Sequence, residues 1–362
     1  PQDVSENMGP TAIQPGTQYY QQQNQMVEGL PLCGKAGTVT LVHYDLWHKA
    51  TENRSEKIRL MLKFLFCRME EPQQPSWNAG NTGDFGWNAS TPFSDQHQLI
   101  WQHIWQWYLG QDNEKKRTDP SINTEGIKLN EPFFDPKSKI EEAIKMLGQA
   151  VYDQDESFRL GSLYALGTVG ASAVPQLMER FREESKIGSI RNLERAVSWD
   201  DPYNFANPSQ IDTVYGLAAV GQLAVPALIE TLDDPDWWIR AAACSSLGCI
   251  GQAANSAVPH LLKALNDDSE WVRRNAAAAL GNTGSGYTSQ VMEAALIKAL
   301  GDKRKTSPWS LSDSPLRENA VASLAKVRPS PAARFKLREA SEDENEYIRA
   351  WALVGLSRMR KN

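Results

Sequence analysis

The sequence predicts two structural classes in one chain, a short β-rich segment followed by a long all-α stack of paired helices. Three observations predict it. A helical motif recurs at near-constant spacing from about residue 139 to the end. A run of β-branched and aromatic residues with a period of two is confined to the first 70 residues. Between them lies a stretch rich in Pro, Gly, Asn and Ser, the composition of connecting chain.

The repeat carries the most information. Trp238-Ile239-Arg240-Ala241 leads to Leu247-Gly248 and then to Ala257-Val258-Pro259; Trp271-Val272-Arg273 leads to Leu280-Gly281. Arg240 and Arg273 are 33 residues apart, Arg317 and Arg349 are 32. Arg273 and Arg317 are 44 apart, which places an insertion within 303–314. Earlier copies begin at Leu166-Gly167 and Leu217-Ala218, with an insertion around 183–210. Within a unit, Asp233-Asp234-Pro235 or Asp267-Asp268-Ser269 breaks the chain and offers helix caps. Alanines let neighbouring first helices approach. Leu-Gly is read as the helix end, since glycine accepts a left-handed C-cap. Val-Pro opens a second helix, whose Leu261, Leu262 and Leu265 face inward. One such unit cannot bury its apolar face, so units must stack.

These motifs resemble HEAT repeats of the short type found in phycobilisome lyases, over roughly residues 140–359 in five or six units. The resemblance implies an α-solenoid with a protein-docking role and specifies no chemistry. Arg159, Arg240, Arg273, Arg317 and Arg349 recur in register. They read either as a ladder for an anionic ligand or as a polar seam between units, and stacked repeats require such seams. Deoxyhypusine hydroxylase, a HEAT-like enzyme, binds iron through His-Glu pairs. This chain has no His-Glu dipeptide, and His260 is the lone histidine of the repeats. No metal site is expected there.

In residues 1–70, the run 38–47 (Thr-Val-Thr-Leu-Val-His-Tyr-Asp-Leu-Trp) reads as one strand, and 57–67 as a second. Alternation in the second puts Ile58, Leu60, Leu62, Phe64 and Phe66 on one face, with Arg59, Met61, Lys63 and Leu65 on the other. Two such strands joined by a polar turn at 51–55 suit a β-sandwich or barrel. His48 and Arg59 lie on either side of that turn. A non-haem iron site needs two imidazoles and a carboxylate on one face, and a 2-oxoglutarate co-substrate needs a cation that matches its far carboxylate.

Several motifs here fall in the order of the phytanoyl-CoA dioxygenase family, which the segment resembles. They are Asn7-Met8-Gly9-Pro10-Thr11, Pro15-Gly16-Thr17, Gly37-Thr38-Val39, His48-Lys49-Ala50, Asn53-Arg54-Ser55 and Arg59. The resemblance implies a double-stranded β-helix (jelly-roll) remnant. It further implies His48 as the distal Fe(II) ligand, Arg59 as the residue holding 2-oxoglutarate, and Asn53 and Ser55 as a supporting turn. Where the family has a His after Pro-Gly-Ser, this chain has Gln18 after Pro15-Gly16-Thr17. The family's His-x-Asp precedes the Gly-Pro segment and has no counterpart in residues 1–8, so this chain is expected to be inactive alone. His43-Tyr44-Asp45 spells the motif, but three residues before His48 it sits on the same predicted strand. A facial triad draws its distal His from another strand, so His43 and Asp45 read as ordinary strand positions.

The predicted organisation is therefore a barrel portion over 1–70, a linker over 71–138 with a Trp-rich helix at 96–110, and the solenoid over 139–362. The helix carries Ile100, Trp101, Ile104, Trp105 and Tyr108 at helical spacing, a packing stripe. His97 and His103 are six apart and share no face. The net charge of −6 and the lack of a basic patch argue against nucleic acid. No run of 18 apolar residues is present to cross a membrane. The chain opens Pro1-Gln2-Asp3 without Met, which reads as a fragment or processed product. Four scattered cysteines, none in a C-x-x-C pair, suit reduced thiols and a cytoplasmic setting. Two functions follow. One is part of an Fe(II)/2-oxoglutarate dioxygenase acting on a small or acyl-type substrate, with the solenoid as its protein-docking arm. The alternative is a non-catalytic scaffold carrying a degenerate oxygenase remnant.

Overall fold

The computed structural model describes residues 2–18, 29–43, 46–64, 66, 68–76, 98–110, 136–194, 208–209, 211–284, 290–302, 304, 314–327 and 330–359. They divide into two compact units. One holds residues 1–68 and 88–95, the other 69–87 and 96–362.

The first unit is built on a small antiparallel sheet of β1 (Thr11–Ile13), β2 (Leu30–Pro31) and β3 (His48–Ala50), in the order β2-β1-β3. Thr11 faces Ala50, Ala12 faces Lys49 and Ile13 faces His48. Gly9 fastens the sheet to the turn that follows β3. Its φ is +68°, and a Cβ there would lie 2.7 Å from the Thr51 carbonyl oxygen. Only glycine meets both demands. The Arg54 amide donates to the Asn7 carbonyl at 2.7 Å across this junction.

Among the described residues, the strands predicted over 38–47 and 57–67 do not form. Residues 38–43 and 57–64 join no ladder, and β3 begins just after the first predicted run. The alternation is nonetheless visible. Ile58, Leu60 and Leu62 are 80–85% exposed while Arg59 and Met61 turn toward β1. An extended segment becomes a strand only when another edge supplies its hydrogen bonds. Among the described residues β1 is the central strand, and its two edges are taken by β2 and β3. A three-stranded sheet thus stands where the jelly-roll remnant was expected.

The second unit begins with α1 (Gln98–Tyr108) and continues through α2 (Pro136–Ala150) into five helix pairs. These are α3 (Glu156–Val169) with α4 (Val174–Glu194), α5 (Asp212–Val220) with α6 (Val225–Thr231), and α7 (Trp237–Ile250) with α8 (Val258–Ala264). Then come α9 (Glu270–Thr283) with α10 (Gln290–Leu300), and α11 (Pro315–Lys326) with α12 (Pro331–Ala340). A last helix, α13 (Glu346–Arg358), follows. One continuous apolar core runs from Val151 to Ala352. In α1, Ile100 is fully buried and the His103 ring meets the Tyr164 ring of α3 edge-on at 5.6 Å. The Trp-rich helix therefore packs with the solenoid. Residues 212–231 are long and apolar enough to cross a membrane, but Gly221 (φ +71°) breaks them into α5 and α6. Val214, Leu217, Val220 and Leu228 of this stretch are fully buried in the core.

Two details of the repeat differ from the sequence reading. The Leu-Gly pair does not end the first helix. Helix α7 runs through Gly248 to Ile250, and the left-handed glycine is Gly251, at φ +73°. Gly170 and Gly221 do the same for α3 and α5. The inner glycine serves contact: a Cβ on Gly248 would meet Ala279 Cβ at 3.2 Å, and one on Gly281 would meet Ser323 Oγ at 2.4 Å. The capping residue also shifts, since Asp236 accepts from the Trp238 amide while Asp234 accepts from the Asp236 amide.

The recurring arginines form a seam. Arg159, Arg240 and Arg273 reach back to a carbonyl in the turn before their own helix and forward to an aspartate at or before the next first helix. Arg317 reaches back to Leu300 O, and Arg349 binds Asp343 O and Glu344 O. Arg240 donates to Asp234 O at 2.8 Å and grips both carboxylate oxygens of Asp267, at 2.8 and 2.9 Å. Arg159 binds Asp153 O and Asp212, and Arg317 pairs with Asp343. Arg273 binds the Asp267 carbonyl at 2.8 Å, with Asp302 at 4.0 Å. In the first of these joints burial pushes the Asp212 and Glu184 carboxyls above the usual carboxylate range, while Arg159 and Arg180 pull Asp212 back. Glu184 accepts from the Thr213 amide at 3.0 Å and so caps α5 from α4.

Two outcomes follow for urea-induced unfolding. Arg240→Ala strips a bidentate, largely enclosed ion pair and strands Asp267, and should cost about 2–4 kcal/mol. Lys263→Ala removes an exposed pair with Asp233 and should stay within about 0.5 kcal/mol. Equal losses would remove the seam from its place in the fold. Gly281→Ala should cost about 1–3 kcal/mol through overpacking against Ser323. Gly301→Ala, whose nearest neighbour would be 3.4 Å away, should be near neutral, within about 0.5 kcal/mol.

Candidate functional site

Local chemistry in the first unit fixes a compact turn. Asn53 Oδ1 accepts from the Ser55 amide at 3.0 Å and from the Ser55 hydroxyl at 2.7 Å. Its Nδ2 donates to the Lys57 carbonyl at 2.8 Å. This side-chain turn reverses the chain between β3 and the segment carrying Arg59. Met8 bridges to Asn53, which ties the Gly-Pro segment to the same turn.

His48 sits on β3 with its ring exposed, and Nδ1 lies 2.7 Å from the Leu46 carbonyl oxygen. A carbonyl only accepts, so Nδ1 carries a proton, and in the neutral ring Nε2 has the lone pair. A backbone carbonyl commonly orients metal-binding imidazoles in this way. On the other arm of the turn, the Arg59 guanidinium touches Met61 Sδ at 3.6 Å, and the Thr11 hydroxyl touches the same sulfur at 3.9 Å. Thr11 stands opposite Ala50, two residues from His48 on β3. Side chains of directly opposed residues, and of residues two apart on a strand, share a face. The β1–β3 face that bears His48 is therefore the face that Met61 and Arg59 approach.

Three donors define a facial iron site. The described residues hold no group of three His, Cys, Asp or Glu side chains close enough for a metal ion. Those residues alone do not fit iron. His43 is exposed, its carbonyl accepting from the Leu46 amide at 3.3 Å. Asp45 and His97 lie outside the described residues. His260 is exposed on α8.

On the solenoid, a groove of about 480 Å³ lies beside α10, lined by Leu265, Asn266, Ala295, Lys298, Asp302 and Arg304. Lys298 Nζ donates to Asn266 Oδ1 at 3.2 Å, and Arg304 pairs with Asp302. Sequence reasoning placed the arginines in a network with neighbouring Asp and Glu but did not name the pairs. A signal existed, because an Asp follows Arg240 by 27 residues and Arg317 by 26.

Comparison with known proteins agrees with this division. Residues 2–61 match the phytanoyl-CoA dioxygenase family and residues 225–311 match HEAT repeats. No curated protein sequence matches the chain. Among solved structures, the complex of CpcE and CpcF of phycocyanin lyase from Nostoc sp. PCC7120 is 22% identical, with 51% of this chain and 98% of that chain covered and a TM-score of 0.35. A designed armadillo repeat protein in complex with a (KR)4 peptide is 17% identical, covering 60% of this chain and 99% of that one, at a TM-score of 0.34. The chain thus joins a phytanoyl-CoA dioxygenase-family segment at residues 2–61 to HEAT repeats that include residues 225–311.

Proposed function

We propose that this chain acts as a protein-docking scaffold whose working surface is the solenoid. The observation that carries the reading is the seam. The recurrent arginines are spent on holding one unit to the next, which makes a rigid frame rather than a reactive site. The groove beside α10 offers apolar Leu265 and Ala295 under the cationic ends of Lys298 and Arg304. That combination suits an extended peptide with a small apolar residue beside an acidic one. The test is capture of partners by the immobilised chain. Lys298→Glu with Arg304→Glu should abolish specific capture, and His48→Ala should leave it intact. Capture that ignores the groove variant removes the groove from the reading.

A second reading is favoured by the shared face of His48 and Arg59. In it, residues 2–61 contribute to an Fe(II)/2-oxoglutarate centre of the phytanoyl-CoA dioxygenase type, whose remaining donors lie outside the described residues. Arg59 would grip the co-substrate's far carboxylate through a fork of N–H donors. His48 would offer Nε2 to the metal, with its tautomer set by Leu46 O. Asn53 and Ser55 would hold the turn that keeps the two arms together. The chain alone should turn over no 2-oxoglutarate. Titration with Co(II) and 2-oxoglutarate, followed by proton NMR, separates the readings. The His48 ring signals should shift before those of His260, and Arg59→Ala should weaken 2-oxoglutarate binding about tenfold or more. Equal shifts at His48 and His260, or unchanged binding in the Arg59 variant, would leave the scaffold reading alone.

A further inference from the structure

One joint of the seam departs from the others at a single position. In four turns the aspartate accepts, through Oδ1, the amide two residues on. Asp234 accepts from Asp236, Asp267 from Ser269, Asp302 from Arg304 and Asp343 from Asn345, at 2.8–3.0 Å. Held this way, Asp267 meets Arg240 and Asp343 meets Arg317 of the preceding first helix. In three of the turns the residue two places on is the N-cap of the next first helix: Asp236, Ser269 and Asn345. After Asp302 that place holds Arg304, and the next first helix starts at Pro315.

Arg304 takes the carboxylate that the seam would give to Arg273. Its Nε donates to both oxygens of Asp302, at 2.8 and 3.0 Å, and Nη2 pairs with one of them. Asp302 Oδ2 then stands 4.0 Å from Arg273 Nε, against 2.8 Å between Asp267 and Arg240. Arg273 donates through Nη1 to two turn carbonyls, Asp267 O and Asp268 O. Among the described residues its Nε has no hydrogen-bond partner, although the side chain is only 6% exposed. Asp267 does not answer it, being held at both oxygens by Arg240. Burial, and then the charge of Arg304, push the Arg273 guanidinium below its usual range. Leaving an enclosed charged donor unmade costs more than an exposed ion pair contributes, and the Arg304 side chain is exposed. The contested carboxylate stands in the wall of the groove beside α10. Asp302 and Arg304 line that groove together with Lys298, whose ammonium donates to the uncharged Asn266 Oδ1.

We propose that this joint is a carboxylate-exchange site: the acidic side chain of a peptide docked in the groove takes Arg304, and Asp302 passes to Arg273. The inference rests on the docking reading above and adds the chemistry by which the groove selects its ligand. The incoming carboxylate replaces Asp302 on a guanidinium whose forked donors fit two oxygens, and Lys298 supplies a second cation. Asp302 keeps its bond from the Arg304 amide and closes on Arg273 by side-chain rotation, from 4.0 Å to the 2.8 Å seen at Arg240. An amide side chain in the ligand carries no charge to hold the guanidinium, so Gln in place of Glu leaves Asp302 where it is. Binding thereby completes the seam between the fourth and fifth helix pairs, and the ligand favours the closed joint through its differential contact with Arg304.

Three measurements on the whole chain test this. In urea, Arg304→Ala frees Asp302 for Arg273, so its unfolding midpoint should rise above that of the wild type. The rise should vanish in an Asp302→Asn background. By fluorescence anisotropy, an end-blocked Ala-Val-Glu-Ala-Ala peptide should bind about tenfold or more tighter than its Gln counterpart, and Arg304→Ala should remove the difference. The Arg273 Nε–H signal in proton–nitrogen NMR, identified by its loss in Arg273→Lys, should exchange more slowly with water once the Glu peptide is bound. If neither peptide binds, the groove is no docking site and the proposal falls with that reading. Equal binding of the two peptides, or unchanged exchange at Arg273 Nε, overturns the exchange and leaves docking standing. So does an Arg304→Ala midpoint at or below the wild type, or a rise that persists with Asp302→Asn.

Discussion

The solenoid depends on one constraint: a guanidinium that must satisfy two turns at once. Arg240 donates to a carbonyl of the turn that precedes its own helix and to the carboxylate of the turn that precedes the next. A turn leaves backbone carbonyls without helix partners, and an aspartate enclosed between repeats cannot stay charged without a cation. One planar side chain with five donors answers both needs, and lysine, with a single point of charge, would not. Where one arginine touches consecutive turns, as Arg240 does, it ties one unit to the next. The close helix contacts at Gly248 and Gly281 then follow as geometry.

That arrangement explains which parts of the fold were legible in the sequence. The arginine recurrence, the Val-Pro openings and the inward leucines lie within single units and repeat in register, so they could be read directly. Leu261 is fully buried and Leu265 nearly so. What was misread lay one helix turn away from its true role. Leu247-Gly248 looks like a C-cap because glycine favours left-handed backbone, yet Gly251 adopts that conformation and Gly248 instead clears space for Ala279. A glycine selected for absent bulk and one selected for φ look alike in a sequence. Only the position of the neighbouring helix tells them apart.

The β segment shows the opposite limit. The sequence of 57–66 alternates as a strand should, and Ile58, Leu60 and Leu62 do point to solvent while Arg59 and Met61 meet each other on the opposite side. Periodicity therefore sorted the side chains into two faces but gave neither the pairing nor the face that points inward. A ladder needs a second edge, and an edge is a property of another segment. The candidate site was legible to the same degree. Asn53, Ser55, Gly9 and His48 sit in contacts made within a few residues or across one bridge, and their relation could be read from motif spacing. Met61, whose sulfur is where Arg59 and Thr11 meet, was read only as a neighbour of Arg59 on one face of the segment.

Where the chemistry of this chain resides is decided by how its charges are used. In the solenoid, three enclosed seam arginines are matched to a carboxylate: Arg159 with Asp212, Arg240 with Asp267, Arg317 with Asp343. A reactive site requires the reverse, a group held ready with its partner missing until a ligand arrives. His48 and Arg59 come nearer to that condition. The imidazole is oriented by Leu46 O through one nitrogen while the other keeps its lone pair, and the guanidinium rests on a thioether, a weak acceptor that a carboxylate would readily displace. The two halves of the chain thus obey the same electrostatic rule with opposite outcomes. Matched charges in the seam make the helical stack a stiff frame, which suits a surface that docks a partner rather than one that does chemistry.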